Sequence, residues 1–215
     1  GREYDFTIFG IVKYFQLCMD GNPNIIDFTF IPQSCVLHIT NIGNMIRDNR
    51  HMFLGKHMWP KFKGYSYSQL HKASGKNPKV GSKRHALREK HGFDSKYLYH
   101  VVRLLSEIEQ ILTTEDLDLQ EKGRREHMKA IRRGDVSEED IRKWASEKEH
   151  LLETLYHNSN IRQKPDEVAI RQLLINCLEE HYGSIKDCVA QIGWAEESLK
   201  KIDLVLDGIR RDLYK

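Results

Sequence analysis

Seven apolar residues between Val101 and Leu112 constrain this chain more than any other feature. Val101, Val102, Leu104, Leu105, Ile108, Ile111 and Leu112 recur at the three- and four-residue spacing of one broad helix face. Asp94 or Ser95 stands ahead of the run, residue types whose side-chain oxygens accept from the free N–H groups of a helix start. From about Thr40 onward the whole sequence reads as helical. Asn41 to Leu54 and Tyr65 to Ala73 are short helices, and Lys122 to Arg132 is a helix stopped by Gly134. Ser137, Glu138, Glu139 and Asp140 open a long helix towards Tyr156, with acids placed to suit the helix dipole. Pro165 and Asp166 begin another through Ile170, Leu173, Leu174 and Leu178, ending near Gly183, and Glu196 to Tyr214 is amphipathic. Between them, Ser74 to Lys90 reads as a basic loop containing Gly and Pro.

The first third has a different texture. Glu3 to Phe9 alternates Tyr4, Phe6 and Ile8 with Asp5, Thr7 and Phe9, which predicts a strand. Ile11 to Met19 has the spacing of a short amphipathic helix, and Asp20 to Asn24 is dense in turn residues. Ile25 to Ile31 is nearly continuous in apolar residues and predicts a buried strand, and Val36 to Ile39 a short edge. The expected fold class is α+β, a small mixed sheet followed by a mainly α-helical bundle. The expected division is 1–62 and 63–215, the second part carrying the basic loop 74–91.

No apolar run approaches the ~18 residues that a membrane span needs, and the start is not that of a secretory signal. Cys18, Cys35, Cys177 and Cys188 are scattered, which fits reduced, mostly buried thiols in a cytoplasmic compartment. The net charge is only +3, yet Lys56 to His91 holds ten Lys and Arg against the single acid Glu89. A basic segment on an otherwise acidic chain points to a polyanion, a nucleotide or a nucleic-acid backbone, or else to a solvated loop. Lys72, Lys83, Arg84 and Arg88 are the candidates there for contacting an acceptor nucleic acid. GxGxxG, Walker A, HExxH and GxSxG patterns are absent.

Asp27, set in Ile25-Ile26-Asp27-Phe28-Thr29-Phe30, is conspicuous because a buried carboxylate needs a cation or a set of donors. Asp5 raises the same question on the neighbouring expected strand. Two such carboxylates can converge on Mg²⁺, which prefers hard oxygen ligands, or both can turn outward to water.

Three segments resemble a known family. Tyr14-Phe15-Gln16-Leu17 with Gly21-Asn22-Pro23-Asn24-Ile25-Ile26-Asp27 is the first. The second is His91-Gly92-Phe93-Asp94-Ser95-Lys96 followed by His100, Arg103, Leu104 and Leu105. Ile131-Arg132-Arg133-Gly134-Asp135 with Lys164-Pro165-Asp166 is the third. Together they resemble the RlaP-type predicted nucleotidyltransferases of the DNA polymerase beta-like superfamily, which are associated with RNA repair in bacteria and also occur in phages. The superfamily's Gly-Ser turn and Asp-x-Asp pair do not occur before Glu3, so the chain resembles the C-terminal part of such an enzyme.

The resemblance implies Mg²⁺-dependent transfer of a nucleotidyl group from an NTP to an acceptor, RNA or another polyanion. It implies Asp27, or Asp5, as the third metal carboxylate, with the first two missing and the chain itself inactive. Lys96, His100 and Arg103 fall on one helix face and become the expected nucleotide-binding residues. On the residues alone, Lys96 and Arg103 pair equally well with acids such as Glu107. The competing expectation is a non-catalytic nucleic-acid-binding or regulatory helical module.

Overall fold

Asn22 and Pro23 decide the first departure from these expectations. In the computed structural model, which describes residues 6–74, 82–184, 200–202 and 204, the segment expected as a buried strand is a helix. The Asn22 side chain accepts from the backbone N–H of Asn24 and Ile25, and Pro23 occupies the first turn. Asparagine before proline is a strong helix start: the ring presets φ and removes a donor that would have had no partner. Ile25, Ile26 and Thr29 then bury one helical side, and the Thr29 hydroxyl donates to the Ile25 carbonyl at 2.9 Å. A short apolar run fits a buried strand and a buried helix equally well, and here the cap breaks the tie.

The α+β expectation is therefore overturned. Among the described residues there is no strand, and nine α-helices account for the architecture. They are α1 (Ile11–Met19), α2 (Pro23–Thr29), α3 (Asn41–Asp48), α4 (Met58–Ser74), α5 (Lys83–His91), α6 (Ser95–Thr114), α7 (Lys122–Arg133), α8 (Glu138–Asn158) and α9 (Glu167–Tyr182). Residues 6–10 and 36–39, expected as strands in whole or part, carry no regular structure. Phe6 and Ile8 are exposed there. Residues 1–5, with Asp5, lie outside the described residues, as does nearly all of the expected helix 196–214. The expected loop 74–91 contains α5, begun by Ser82, whose hydroxyl accepts from His85 N–H at 3.2 Å. The expected boundary at 62/63 falls inside α4.

The chain divides into two compact units, 1–170 and 171–215. In the first, α6 is the spine: α4, α5, α7 and α8 all pack on it. The reason is its composition. Leu98, Val101, Val102, Leu104, Leu105, Ile108, Ile111 and Leu112 are all buried, too many for one face. Each such side chain removed from water contributes roughly 1.5–3 kcal/mol, offset by ordering entropy. One part of the core joins Ala73, Phe93, Leu98, Val102, Met128, Ile131 and Ile141, drawing α4, α6, α7 and α8 together. Asp94 caps α6 by accepting from Lys96 N–H at 3.1 Å. Ser137 caps α8, and Gly134 ends α7 in the left-handed region at φ 82°. The segment before α9 returns to the start of α4, where Lys56 and His57 N–H donate to the carbonyls of Arg162 and Gln163. In the second unit the remainder of α9 buries Leu173 and Cys177. Among the described residues, no helix is long and apolar enough to cross a membrane.

Candidate functional site: a cationic cleft on α6 and α7

Where α7 lies against α6, the chain leaves a cleft of about 590 Å³. Its cations are Arg103 from α6 and Arg124, Arg125, Lys129, Arg132 and Arg133 from α7. Tyr99, Leu119 and Met128 form apolar walls, and Asp27 and Glu107 are its carboxylates. The local cause is the register of α7. Met128 and Ile131 are buried on its inner side, which sets the intervening basic residues along the rim. Arg132 lies over the Tyr99 ring at 5.0 Å from the centroid, a cation–π contact that fixes both walls. Some of the rim is locally engaged: Lys129 pairs with Glu126 and Arg133 with Asp135, both at 2.7 Å. Arg124 donates to the Asp118 carbonyl.

At the back of the cleft, Arg103 of α6 is held by two side chains of α2. Its Nη1 donates to Asp27 Oδ2, and its Nη2 donates to Asn24 Oδ1 at 3.1 Å. Glu107, one turn along α6, brings Oε1 to 3.8 Å from Nη1. One guanidinium thus serves two carboxylates. Glu107 is only 2 % exposed, and Asp27 Oδ1, Arg103 Nε and Glu107 Oε2 are buried without a hydrogen-bond partner. Burial pushes the Glu107 carboxyl up to about 7, against the pull of Arg103 and Arg124.

Of the residues expected from sequence to serve a site, the structure brings Asp27 and Arg103 together in this cleft. Lys96 and His100 are on α6 but do not line it; Lys96 is exposed and the His100 ring packs edge-on against Tyr99 at 5.5 Å. Lys72 is exposed near the end of α4. Arg88 of α5 donates to the Ala73 carbonyl at 2.6 Å. Lys83 and Arg84 are in the first turn of α5. Asp27 sits on a helix, not on the expected strand, and its carboxylate is engaged by Arg103 in a setting dominated by cations. That environment does not fit Mg²⁺, which needs several oxygen ligands and repels neighbouring guanidinium groups. Among the described residues no group of three His, Cys, Asp or Glu is placed to hold a metal ion.

Arg124, Arg125, Lys129 and Glu107 were not among the site residues expected from the sequence. A signal was present: Arg125, Lys129 and Arg132 recur at helical spacing and make one basic stripe. Compared with protein-family models, curated proteins and solved structures, the chain finds no match. The likeness to the nucleotidyltransferases therefore rests on the three segments quoted above.

Proposed function

We propose that the α6–α7 cleft binds the phosphates of a nucleotide, and that the chain holds the substrate in a cytoplasmic nucleotidyltransferase. The observation that carries this reading is the convergence of six Arg and Lys side chains on one cleft with an aromatic wall. Guanidinium forks match phosphate oxygens two at a time, and a cleft with low-dielectric walls concentrates their field. Tyr99, Leu119 and Met128 offer the apolar surface that a base or ribose would cover. In the transfer itself, an acceptor hydroxyl oxygen would bond to the α-phosphorus as the bond to the bridging oxygen of pyrophosphate breaks and the hydroxyl proton passes to solvent. The cations of α7 would then hold the phosphates and offset the charge gathering on the leaving pyrophosphate. The acceptor implied by the resemblance is RNA or another polyanion, for which Lys72, Lys83, Arg84 and Arg88 stand as contacts.

A second reading, a nucleic-acid-binding or regulatory module without catalysis, is favoured by one observation: Asp27 is paired with Arg103 and faces cations. Calorimetric titration with each NTP separates the two readings from a purely structural role. Arg125→Ala and Arg132→Ala should each weaken binding about tenfold while melting behaviour is kept. Lys96→Ala shows whether the binding face extends beyond the cleft. Transfer from an α-labelled NTP to RNA, assayed on the protein at its full natural length, then distinguishes enzyme from module. Unaltered affinity in both arginine variants would remove the cleft from the reading.

A further inference from the structure

We infer that Glu107 is the proton-controlled counter-charge of this cleft, so that an anion binding there brings with it the uptake of a proton on the Glu107 carboxylate. The inference rests on the reading that the cleft takes phosphates. It starts from a charge imbalance. Two carboxylates, Asp27 and Glu107, share the Arg103 guanidinium, so around Arg103 itself negative charge is in excess, with Arg124 the further cation acting on Glu107. An arriving phosphate is repelled by that excess, and protonating one carboxylate relieves it.

Glu107 is the one that yields. Asp27 makes the direct pair with Arg103 and its side chain is 18 % exposed, whereas that of Glu107 is 2 % exposed and stands 3.8 Å from the guanidinium. Its Oε2 is buried without a partner, a position poor for a charge and open to a proton. Burial already places its titration near neutrality.

The surrounding helices leave this assignment intact. Arg103 on α6 and Arg124 on α7 are the cations that act on Glu107, and α2 contributes Asp27 through Arg103. On α8, Lys148 is held by Glu109 at 2.8 Å. On α4, Lys63 is held by Glu149 and Glu153 of α8. On α5, His85 pairs with Glu89 and Arg88 reaches the Ala73 carbonyl. His100 on α6 and His127 on α7 are further imidazoles on these two helices, so the test must isolate Glu107 from them.

The sign follows from linkage. Below the titration range of Glu107 the carboxyl is neutral and Arg103 faces the anion with one fewer competitor. Above it, the carboxylate competes and affinity falls. The test compares ATP binding to the wild-type chain and to Glu107→Gln from pH 5.5 to 8.5. Protonation of ATP and of the histidines is common to both proteins and cancels in the ratio. At pH 5.5 the two affinities should agree, and at pH 8.5 the variant should bind about tenfold more tightly. At pH 7, calorimetry in buffers of different ionisation enthalpy should show more proton uptake by the wild type than by the variant. A ratio constant across pH, with binding intact, overturns the inference and leaves the phosphate reading standing. No ATP binding by either protein overturns both. Should Glu107→Gln not fold, the wild-type chain with ¹³C at the glutamate carboxyl carbons decides the matter. One resonance should titrate near neutrality and move to higher pH with ATP; no such resonance between pH 6 and 8 overturns the inference.

Discussion

Replacing Asp27 with Asn should destabilise the chain in the absence of any nucleotide or metal. The substitution keeps the side-chain volume and one acceptor oxygen but removes the charge that Arg103 faces. Exposed ion pairs contribute about 0–1 kcal/mol, and breaking a buried pair costs about 3–5 kcal/mol. Here the side chains are 15 % and 18 % exposed, close to the buried limit. Arg103 would retain Asn24 at 3.1 Å and Glu107 at 3.8 Å, which softens the loss. The expected cost of Asp27→Asn is about 2 kcal/mol. Arg103→Met should cost more, about 3 kcal/mol, because it removes the guanidinium that Asp27 and Glu107 share and leaves Glu107 only Arg124. The double variant should cost less than the sum, with a coupling of about 1.5 kcal/mol. Urea unfolding with a common slope measures all three, by circular dichroism in the absence of added metal. A metal-ligand role for Asp27 leads elsewhere: Asp27→Asn would then leave metal-free stability unaltered and abolish only metal-dependent chemistry. A loss below about 0.5 kcal/mol, with coupling equally small, would refute the ion-pair argument.

Gly134→Ala should cost about 2–3 kcal/mol, since Gly134 sits at φ 82° and a Cβ there would overlap the His91 imidazole. Adding His91→Ala should recover only the steric part in thermal melts; full recovery would show that the left-handed backbone carries no strain. Thiol labelling followed by peptide mass spectrometry should modify exposed Cys35 in the folded chain and spare Cys18 and Cys177 until the chain unfolds. Burial pushes the Cys18 thiol up to about 11 and raises that of Cys177, so equal labelling of Cys18 and Cys35 at pH 8 would contradict the buried placement.

The helices were readable wherever a cap and a long periodic stripe agreed. Asp94 with the Val101–Leu112 stripe, Gly134 after α7, and Ser137 ahead of α8 all fall where the residue chemistry put them. The sheet failed because alternation at 4–9 and a short apolar run at 25–31 are weak evidence for a strand without a partner to pair with. Asn22-Pro23 carries the contrary signal, because turn chemistry and a helix start use the same residues. At the site, Asp27 and Arg103 each stood out alone, for different reasons. Nothing in the sequence joined two residues 76 positions apart, because that contact depends on how α2 and α6 pack. Charge counting drew attention to the dense block at 56–91, whereas the cleft takes its cations mainly from α7, where acids nearby in sequence dilute the net charge.

Arg103 and Glu107 belong to the same helix that supplies Leu104, Leu105 and Ile108 to the interior. A spine buried on most of its circumference cannot slide or unwind a turn without opening the contacts of four other helices. The charged groups at the back of the cleft therefore inherit the rigidity of the hydrophobic interior, and their amide protons should exchange only in whole-molecule opening. Under the proposed reading, a phosphate arriving there would meet donors already in position, with little further order to impose on them. The rim on α7 differs, resting on a helix anchored by few buried side chains. Under the proposed reading, grip would come mainly from the helix buried on most of its circumference, and adjustment from the one resting on Met128 and Ile131.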